Sequence, residues 1–384
     1  MWANIYREDD GKIIVKAQVF KRLPTRKIPP GCSVFYTQEY TDAEYIDDVN
    51  PYAFYSFLKG KAVLPDRKPR KPNLPDEGFR SDDVAVIRTI GLGDVIMTIP
   101  MLYALKSAGF TITYYTSEYA LPMLADIDAI DRYQVLNVEF AKEGLPKAPP
   151  KVRKRHKRII NLVNRVDFGP IVRMRPRADN FIYVASRQLK VDLSIDRDFI
   201  VPEFKSIDKD WGHELLEING AKRPVIACQV TSRGLPRFWP WDKWINLAVS
   251  MPDFTFVFIS DEKKLARKKV PDNVINTSGL IDTYELICLV SACDLIVCPD
   301  SGLMHIGARL RKPVVLLCGS TDPEKHIAYY PRDLYKFVWC EPRMKCSPCY
   351  DWQIESCFGK PSWPICMTRI RVEQVKKAIL EVIG

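Results

Sequence analysis

Two stretches of the chain set an acidic residue where an apolar run meets an amphipathic one. In "VAVIRTIGLGDVIMTIPMLYAL", Val84 to Leu105, a β-branched run meets two glycines and Asp94 before a helical pattern begins. In "DLIVCPDSGLMHIGARLRKPVVLLCGSTDPEKHIAYYP", Asp294 to Pro331, Asp300, Ser301 and Gly302 lie between an apolar strand and an amphipathic helix. The first turn of a helix presents free N–H groups and the positive end of its dipole, which suits a diphosphate. Gly302 lets a phosphate come close to the backbone, and His305 is placed to donate to a phosphate oxygen or a ribose hydroxyl. Each acid also has a plainer use. Asp94, or Asp300 with Ser301, can simply cap a helix by accepting its free N–H groups. The local pattern leaves both uses open.

The elements around these residues must place them. From Asp83 the chain reads as a buried strand "VAVIRTI", a helix "DVIMTIPMLYALKSAG" stopped by Gly109, and a strand "FTITYYTS". A further helix and short strand follow in "YALPMLADIDAIDRYQVL". A second such run starts near Trp211: strand "RPVIACQVTS", helix "WDKWINLAVSM", strand "FTFVFIS" and helix "DEKKLARKKV". It continues through helix "TYELICLVSAC", strand "DLIVCPD", helix "SGLMHIGARL" and strand "KPVVLLCGS". Alternating βα units predict parallel sheets covered on both faces, and two such halves predict a cleft at the carboxyl ends of the strands. The expected domains are 81–207 and 208–384. Residues 1–80 are expected to form a small β-rich appendage, ending in the proline-rich, charged "LPDRKPRKPNLPDEG", an extended linker or surface wrap.

With 384 residues, 47% hydrophobic and 27% charged, the composition is that of a folded chain. No long uncharged apolar run is present, and charges interrupt the N-terminus early, which predicts a cytoplasmic protein without a transmembrane helix. The net charge of +10 favours an acidic partner: a phosphorylated glycan, a nucleic acid or an anionic membrane face. Much of the excess lies in "KAPPKVRKRHKRIINLVNR", which makes Lys151, Arg153, Lys154, Arg155, Lys157 and Arg158 candidates for acceptor binding or a solvated basic loop. Of eleven cysteines, Cys340, Cys346, Cys349, Cys357 and Cys366 cluster near the C-terminus. Their CxxC suggests zinc, but the second CxxC and the His of a strong zinc motif are missing, so reduced packing thiols or a disulfide are the favoured reading.

The segment "DSGLMHIGARLRKPVVLLCGSTDP" resembles the signature of glycosyltransferase family 9, the lipopolysaccharide heptosyltransferases. "RTIGLGDVIMTIPMLYAL" resembles the same family's N-terminal motif, and the "CSPC…CM" ending recurs there. The resemblance runs from Asp83 to Gly384 and leaves out residues 1–80. It implies a GT-B fold, in which two Rossmann-like domains face each other across a cleft, here with the β-rich appendage added. It also implies metal-independent, inverting transfer from a nucleotide-diphosphate sugar, with an ADP-heptose-like donor and no required cofactor.

Carried over by motif, Asp94 is the base and Gly93 an adjoining backbone site. Thr231 and Ser232 hold phosphate oxygens, with Arg237 at the position of a phosphate-binding lysine. Arg keeps the charge but adds a bidentate geometry. The donor set is completed by Asp300, Ser301, Gly302, Leu303 and His305, with Thr321 and Asp322 either in the pocket or in a turn. The acidic ribose contact falls on Glu262 or its neighbour Asp261. A lipopolysaccharide-core-type glycan is the expected acceptor. Two alternatives remain: transfer to hydroxymethylated bases of DNA, and a catalytically silent module that only binds the nucleotide sugar.

Overall fold

The computed structural model describes residues 2–7, 13–18, 62–72, 74, 82–136, 148–163, 175–231, 237–349 and 364–384. Ser232 and Cys357 lie outside these residues. Strands β1 (Trp2–Arg7) and β2 (Ile13–Gln18) form an antiparallel pair on their own, part of the expected β-rich appendage.

The first α/β half begins with β3 (Val84–Ile87), followed by α1 (Leu92–Met97) and α2 (Ile99–Ser107). The sequence pattern predicts one helix there, and the chain makes two. Pro100 has no N–H to give, and its ring would crowd the carbonyl four residues back. The chain therefore turns at Thr98, whose Oγ1 donates to the Val95 carbonyl at 2.7 Å. Strands β4 (Ile112–Thr116) and β5 (Arg132–Val135), helix α3 (Pro150–Arg155) and strand β6 (Arg158–Asn161) follow. The expected helix between β4 and β5 is only a 3-10 turn, Leu121–Leu124, since Pro122 again removes a donor. The four strands are parallel in the order β5-β4-β3-β6, and α4 (Arg177–Leu189) packs against α2 and β6.

The second half opens with α5 (Lys209–Ile218), capped by Asp208, and β7 (Val225–Gln229). It continues through α6 (Trp241–Val249), β8 (Thr255–Ile259), β9 (Val274–Asn276), α7 (Thr283–Ala292) and β10 (Leu295–Pro299). Then come α8 (Gly302–Arg309), β11 (Val314–Cys318), β12 (Tyr335–Trp339), the short α9 (Ile365–Thr368) and α10 (Val372–Ile383). "DEKKLARKKV", predicted as a helix, holds only a 3-10 segment, Lys263–Arg267. All six strands run parallel in the order β12-β11-β10-β7-β8-β9, the doubly wound arrangement of a Rossmann sheet. Its switch point lies between β7 and β10. Loops from those two strand ends therefore diverge and leave a crevice, and they carry Thr231 and Asp300.

One buried guanidinium ties the halves together. Arg309, at the end of α8, donates to the carbonyls of Met123 (2.8 Å) and Ala125 (2.7 Å) in the first half. It also donates to Pro202 (2.8 Å) and Glu203 (3.3 Å) in the connecting segment, and lies 3.9 Å from the Phe204 ring centroid. Among the described residues, no helix is long and apolar enough to cross a membrane.

Candidate functional site

A cavity of about 510 Å³ opens between the two sheets at the carboxyl ends of their strands. The first half lines it with Arg88, Gly91, Gly93, Asp94, Met97, Tyr119 and Arg177. The second half contributes Thr231, Arg237, Asp261, Asp282, Asp300, Ser301, Gly302, Leu303, His305 and His326, among others.

Asp94 is not a helix cap. The residue at the cap position is Gly91, whose φ of 76° is left-handed, and no side chain caps α1. A Cβ on Gly91 would come within 2.5 Å of Asp94 Oδ2, so glycine there leaves room for the carboxylate. Asp94 is instead held by two arginines. Arg88 Nη2 donates to Oδ2 at 2.7 Å, while Arg177 Nη2 and Nε donate to Oδ1 at 3.0 and 3.2 Å. Arg88 is itself fixed by donating to the carbonyls of Ile90 and Leu162, at 3.0 and 2.6 Å. Burial alone raises the pKa of Asp94, but the charges of Arg88 and Arg177 outweigh it and hold the carboxyl well below its ordinary range. The carboxylate is ionised at any working pH, oriented, and open to the cavity.

Across the cavity, β10 ends at Pro299 and α8 begins at Gly302. Asp300 is buried; its Oδ1 lies 3.1 Å from His326 Nδ1, and Arg237 Nη1 donates to its carbonyl at 2.7 Å. Burial again works to raise its pKa, and His326 and Arg237 overcome it and keep the acid ionised. Asp300 Oδ2 lies 3.6 Å from Arg237 Nη1 but accepts no hydrogen bond within the protein, although a buried carboxylate oxygen needs one. An oxygen left in that state at the mouth of a helix N-terminus fits a hydroxyl donor on a ligand. His305 is buried too, with Nδ1 2.7 Å from Tyr330 Oη, and burial depresses its pKa to about 4, so the ring is neutral. The ring packs against Gly93, and a Cβ there would meet His305 Cδ2 at 2.4 Å. Gly93 is thus one of the places where the halves touch.

Other expected site residues fall differently. Thr231 lines the cavity, and its hydroxyl pairs with Ser260 Oγ at 2.6 Å. Of the two acids after β8, Asp261 faces the cavity and Glu262 does not. The Glu262 N–H donates to Ser260 Oγ, which turns the chain, and its carboxylate pairs with Lys264 at 2.7 Å. Thr321 is buried outside the cavity, and Asp322 caps a 3-10 turn at Pro323. Lys151, Arg153, Lys154, Arg155, Lys157 and Arg158 do not line the cavity. Lys151, Arg153, Lys154 and Arg155 lie on α3, Lys157 just after it, and Arg158 at the start of β6, level with Val84 at the amino end of β3, the end of that strand away from Asp94. Of the clustered cysteines, Cys340 and Cys366 are buried and Cys346 and Cys349 exposed, and none of the four lines the cavity. Sequence reasoning missed Arg88, Arg177, Asp282 and His326. The signals available were the arginine at the end of the first strand, the last arginine of "RMRPR", and one of only four histidines in the chain.

Two facing Rossmann-type sheets with one cavity shared between them define the GT-B class of fold. Residues 171–353, just under half of the chain, match Glycosyltransferase family 9 (heptosyltransferase). Over 116 residues the chain is 41% identical to lipopolysaccharide heptosyltransferase 2 of Escherichia coli (strain K12), covering 27% of this chain and 33% of that one. The chain thus matches about a third of the length of its curated relatives. In fold it is similar to E. coli ADP-heptose lps heptosyltransferase II, with a TM-score of 0.57 at 16% identity over 78% of this chain and 98% of that chain. It is also similar to the dodecameric iron-containing heptosyltransferase TibC of enterotoxigenic E. coli H10407, solved with ADP-D-beta-D-heptose. There the TM-score is 0.51 at 15% identity over 99% of this chain and 90% of that chain.

Proposed function

We propose that the chain transfers a heptose-like sugar, with inversion, from an ADP-sugar to an acidic glycan of the lipopolysaccharide-core type. The observation that carries this reading is that one cavity has an oriented carboxylate, Asp94, on one wall and a helix N-terminus with Asp300 and Arg237 on the other. The acceptor hydroxyl passes its proton to Asp94 as its oxygen attacks the anomeric carbon from the face opposite the diphosphate. The bond from that carbon to the diphosphate oxygen breaks, and the departing charge is met by the N–H groups of α8 and by Arg237. Transfer in this form needs no metal at the reacting atoms. The carboxylate is a weak base because Arg88 and Arg177 hold it, so its proton transfer follows bond cleavage closely rather than leading it. Asp300 Oδ2 receives a sugar hydroxyl, and Asp261 a ribose hydroxyl.

The heptosyltransferases among the relatives supply the sugar class, and the ADP in two neighbours' descriptions supplies the nucleotide. The basic residues of α3 and the start of β6, outside the cavity, are then the surface that meets an anionic membrane, away from the reacting hydroxyl.

The test is transfer by the purified chain from a panel of nucleotide sugars to lipopolysaccharide core and to hydroxymethylated DNA. NMR then assigns the anomeric configuration of the product. The reading expects ADP-heptose with the glycan to give inverted product. Tight ADP binding with no transfer to any acceptor would leave only the silent binding module, and transfer to DNA alone would replace the glycan.

A further inference from the structure

The proline-rich wrap before the first sheet runs against the donor side of the molecule, outside the residues matched to the family. Residues 62–72 cross α5 and α7 of the second half through a series of specific bonds. The Ala62 N–H donates to the Asn276 carbonyl at 3.0 Å, and the Val63 N–H to Asn219 Oδ1 at 2.8 Å. Arg67 bonds Asp208 (2.7 Å) and Glu214 (3.0 Å), while the Trp211 indole donates to the Arg67 carbonyl at 2.8 Å. The strap then reaches the first turn of α7. Tyr284 Oη donates to the Arg70 carbonyl at 2.8 Å, Lys68 Nζ lies 2.5 Å from Glu285 Oε1, and Lys71 Nζ lies 3.7 Å from Asp282 Oδ2.

That turn has two faces. Glu285, whose side chain is 1% exposed, uses Oε2 to accept the Asp282 N–H at 2.7 Å. Asp282 Oδ1 in return accepts the N–H groups of Tyr284 and Glu285, which closes a capping box. The other face of the same turn, Ile281, Asp282, Thr283 and Leu286, lines the cavity near Asp261. It follows β9, at the edge of the sheet three strands from β10 and α8, the direction in which a nucleoside would extend from a diphosphate at α8. A buried carboxylate whose second oxygen is satisfied, among the described residues, by a lysine from the strap depends on that lysine for its position.

We infer that the strap, through Lys68 on Glu285 and Lys71 on Asp282, positions the nucleoside wall of the donor cavity. These lysines touch no substrate. They are positioning residues that act through the capping box. The inference rests on the donor reading of the cavity, and the experiment separates the two.

Binding of ADP and of inorganic diphosphate is measured by calorimetry on the full chain, for the native protein and for Lys68→Met/Lys71→Met. Both lysines are largely exposed, so the variant keeps its core. ADP spans the strapped wall and diphosphate does not. ADP binding is expected to weaken about tenfold in the variant with diphosphate binding unchanged, while the melting temperature falls because the buried Glu285 carboxylate loses its partner. Lys68→Arg restores ADP binding. In turnover, KM for the donor rises while kcat holds. Equal weakening of ADP and diphosphate overturns the inference, because it marks a general charge or folding effect. Unchanged ADP binding overturns it as well. Failure of the native chain to bind either ligand defeats the donor reading itself.

Discussion

Replacing Gly93 by alanine puts a methyl group into a tight contact between α1 and α8. The new Cβ would stand 2.4 Å from His305 Cδ2 and 2.6 Å from Nε2. Carbon atoms rest at about 3.5–4.0 Å, so roughly 1 Å must be found. The imidazole cannot swing aside freely, since it is buried and its Nδ1 is 2.7 Å from Tyr330 Oη. Either that hydrogen bond breaks or the two halves move apart by about the overlap. Overpacking of this kind costs about 1–3 kcal/mol. The catalytic cost is larger, because the same movement widens the gap between Asp94 and Asp300, and a misplacement of about 1 Å can cost about a hundredfold in rate. Gly93→Ala is therefore expected to lower kcat by at least about tenfold while ADP affinity, read by calorimetry, stays within about threefold. Adding His305→Ala to it should restore thermal stability relative to Gly93→Ala alone, because the colliding ring is gone. A Gly93→Ala protein with native kcat and melting temperature would falsify the reasoning. So would a double variant less stable than the two single changes predict together.

Arg177→Met removes one of the two cations on Asp94, so the acid's pKa rises. The acid limb of kcat/KM should move to higher pH and the rate at neutral pH fall about tenfold; a limb that stays in place would contradict the clamp. His305 has a folded pKa near 4 against about 6.5 unfolded, so as pH falls the unfolded chain takes the proton first. The stability due to the neutral ring is whole above pH 6.5 and is lost as pH falls toward 4, about 3 kcal/mol in all. Melting curves should show this slope in the native chain and a flatter one in His305→Asn. Arg309→Met strips four carbonyls in both halves and the connecting segment of their donor, and should cost about 3 kcal/mol or more by chemical denaturation. A loss below about 1 kcal/mol would mean the halves are held by other contacts.

Much of this site was legible because its parts are local. Asp94 lies in the first turn of the helix after β3 and Asp300 directly after β10, and a parallel sheet brings strand ends to one edge. The residues that could not be read come from distant segments. Arg88 and Arg177 are 89 positions apart in numbering and meet on one carboxylate only because α4 packs beside β6. The choice of Asp261 over Glu262 turns on a single backbone bond to Ser260, which no pattern encodes. The basic run misleads for the opposite reason. Its charges are dense in sequence, but Arg158 opens β6 level with the amino end of β3, away from the cavity, and charge alone does not tell one end of a strand from the other. The single helix expected after the first strand failed at Pro100, where periodicity outweighed the breaker.

The most direct test of the central claim is turnover by Asp94→Asn, which keeps the shape of the side chain and removes its charge. Donor binding should change little, because Asp94 stands on the acceptor wall of the cavity. The rate of transfer from ADP-heptose should fall about a hundredfold to ten-thousandfold, the range for loss of a general base. If Asp94→Asn transferred sugar at the native rate, the acceptor proton would leave by another route, and the account of this cavity as a site built around Asp94 would be wrong.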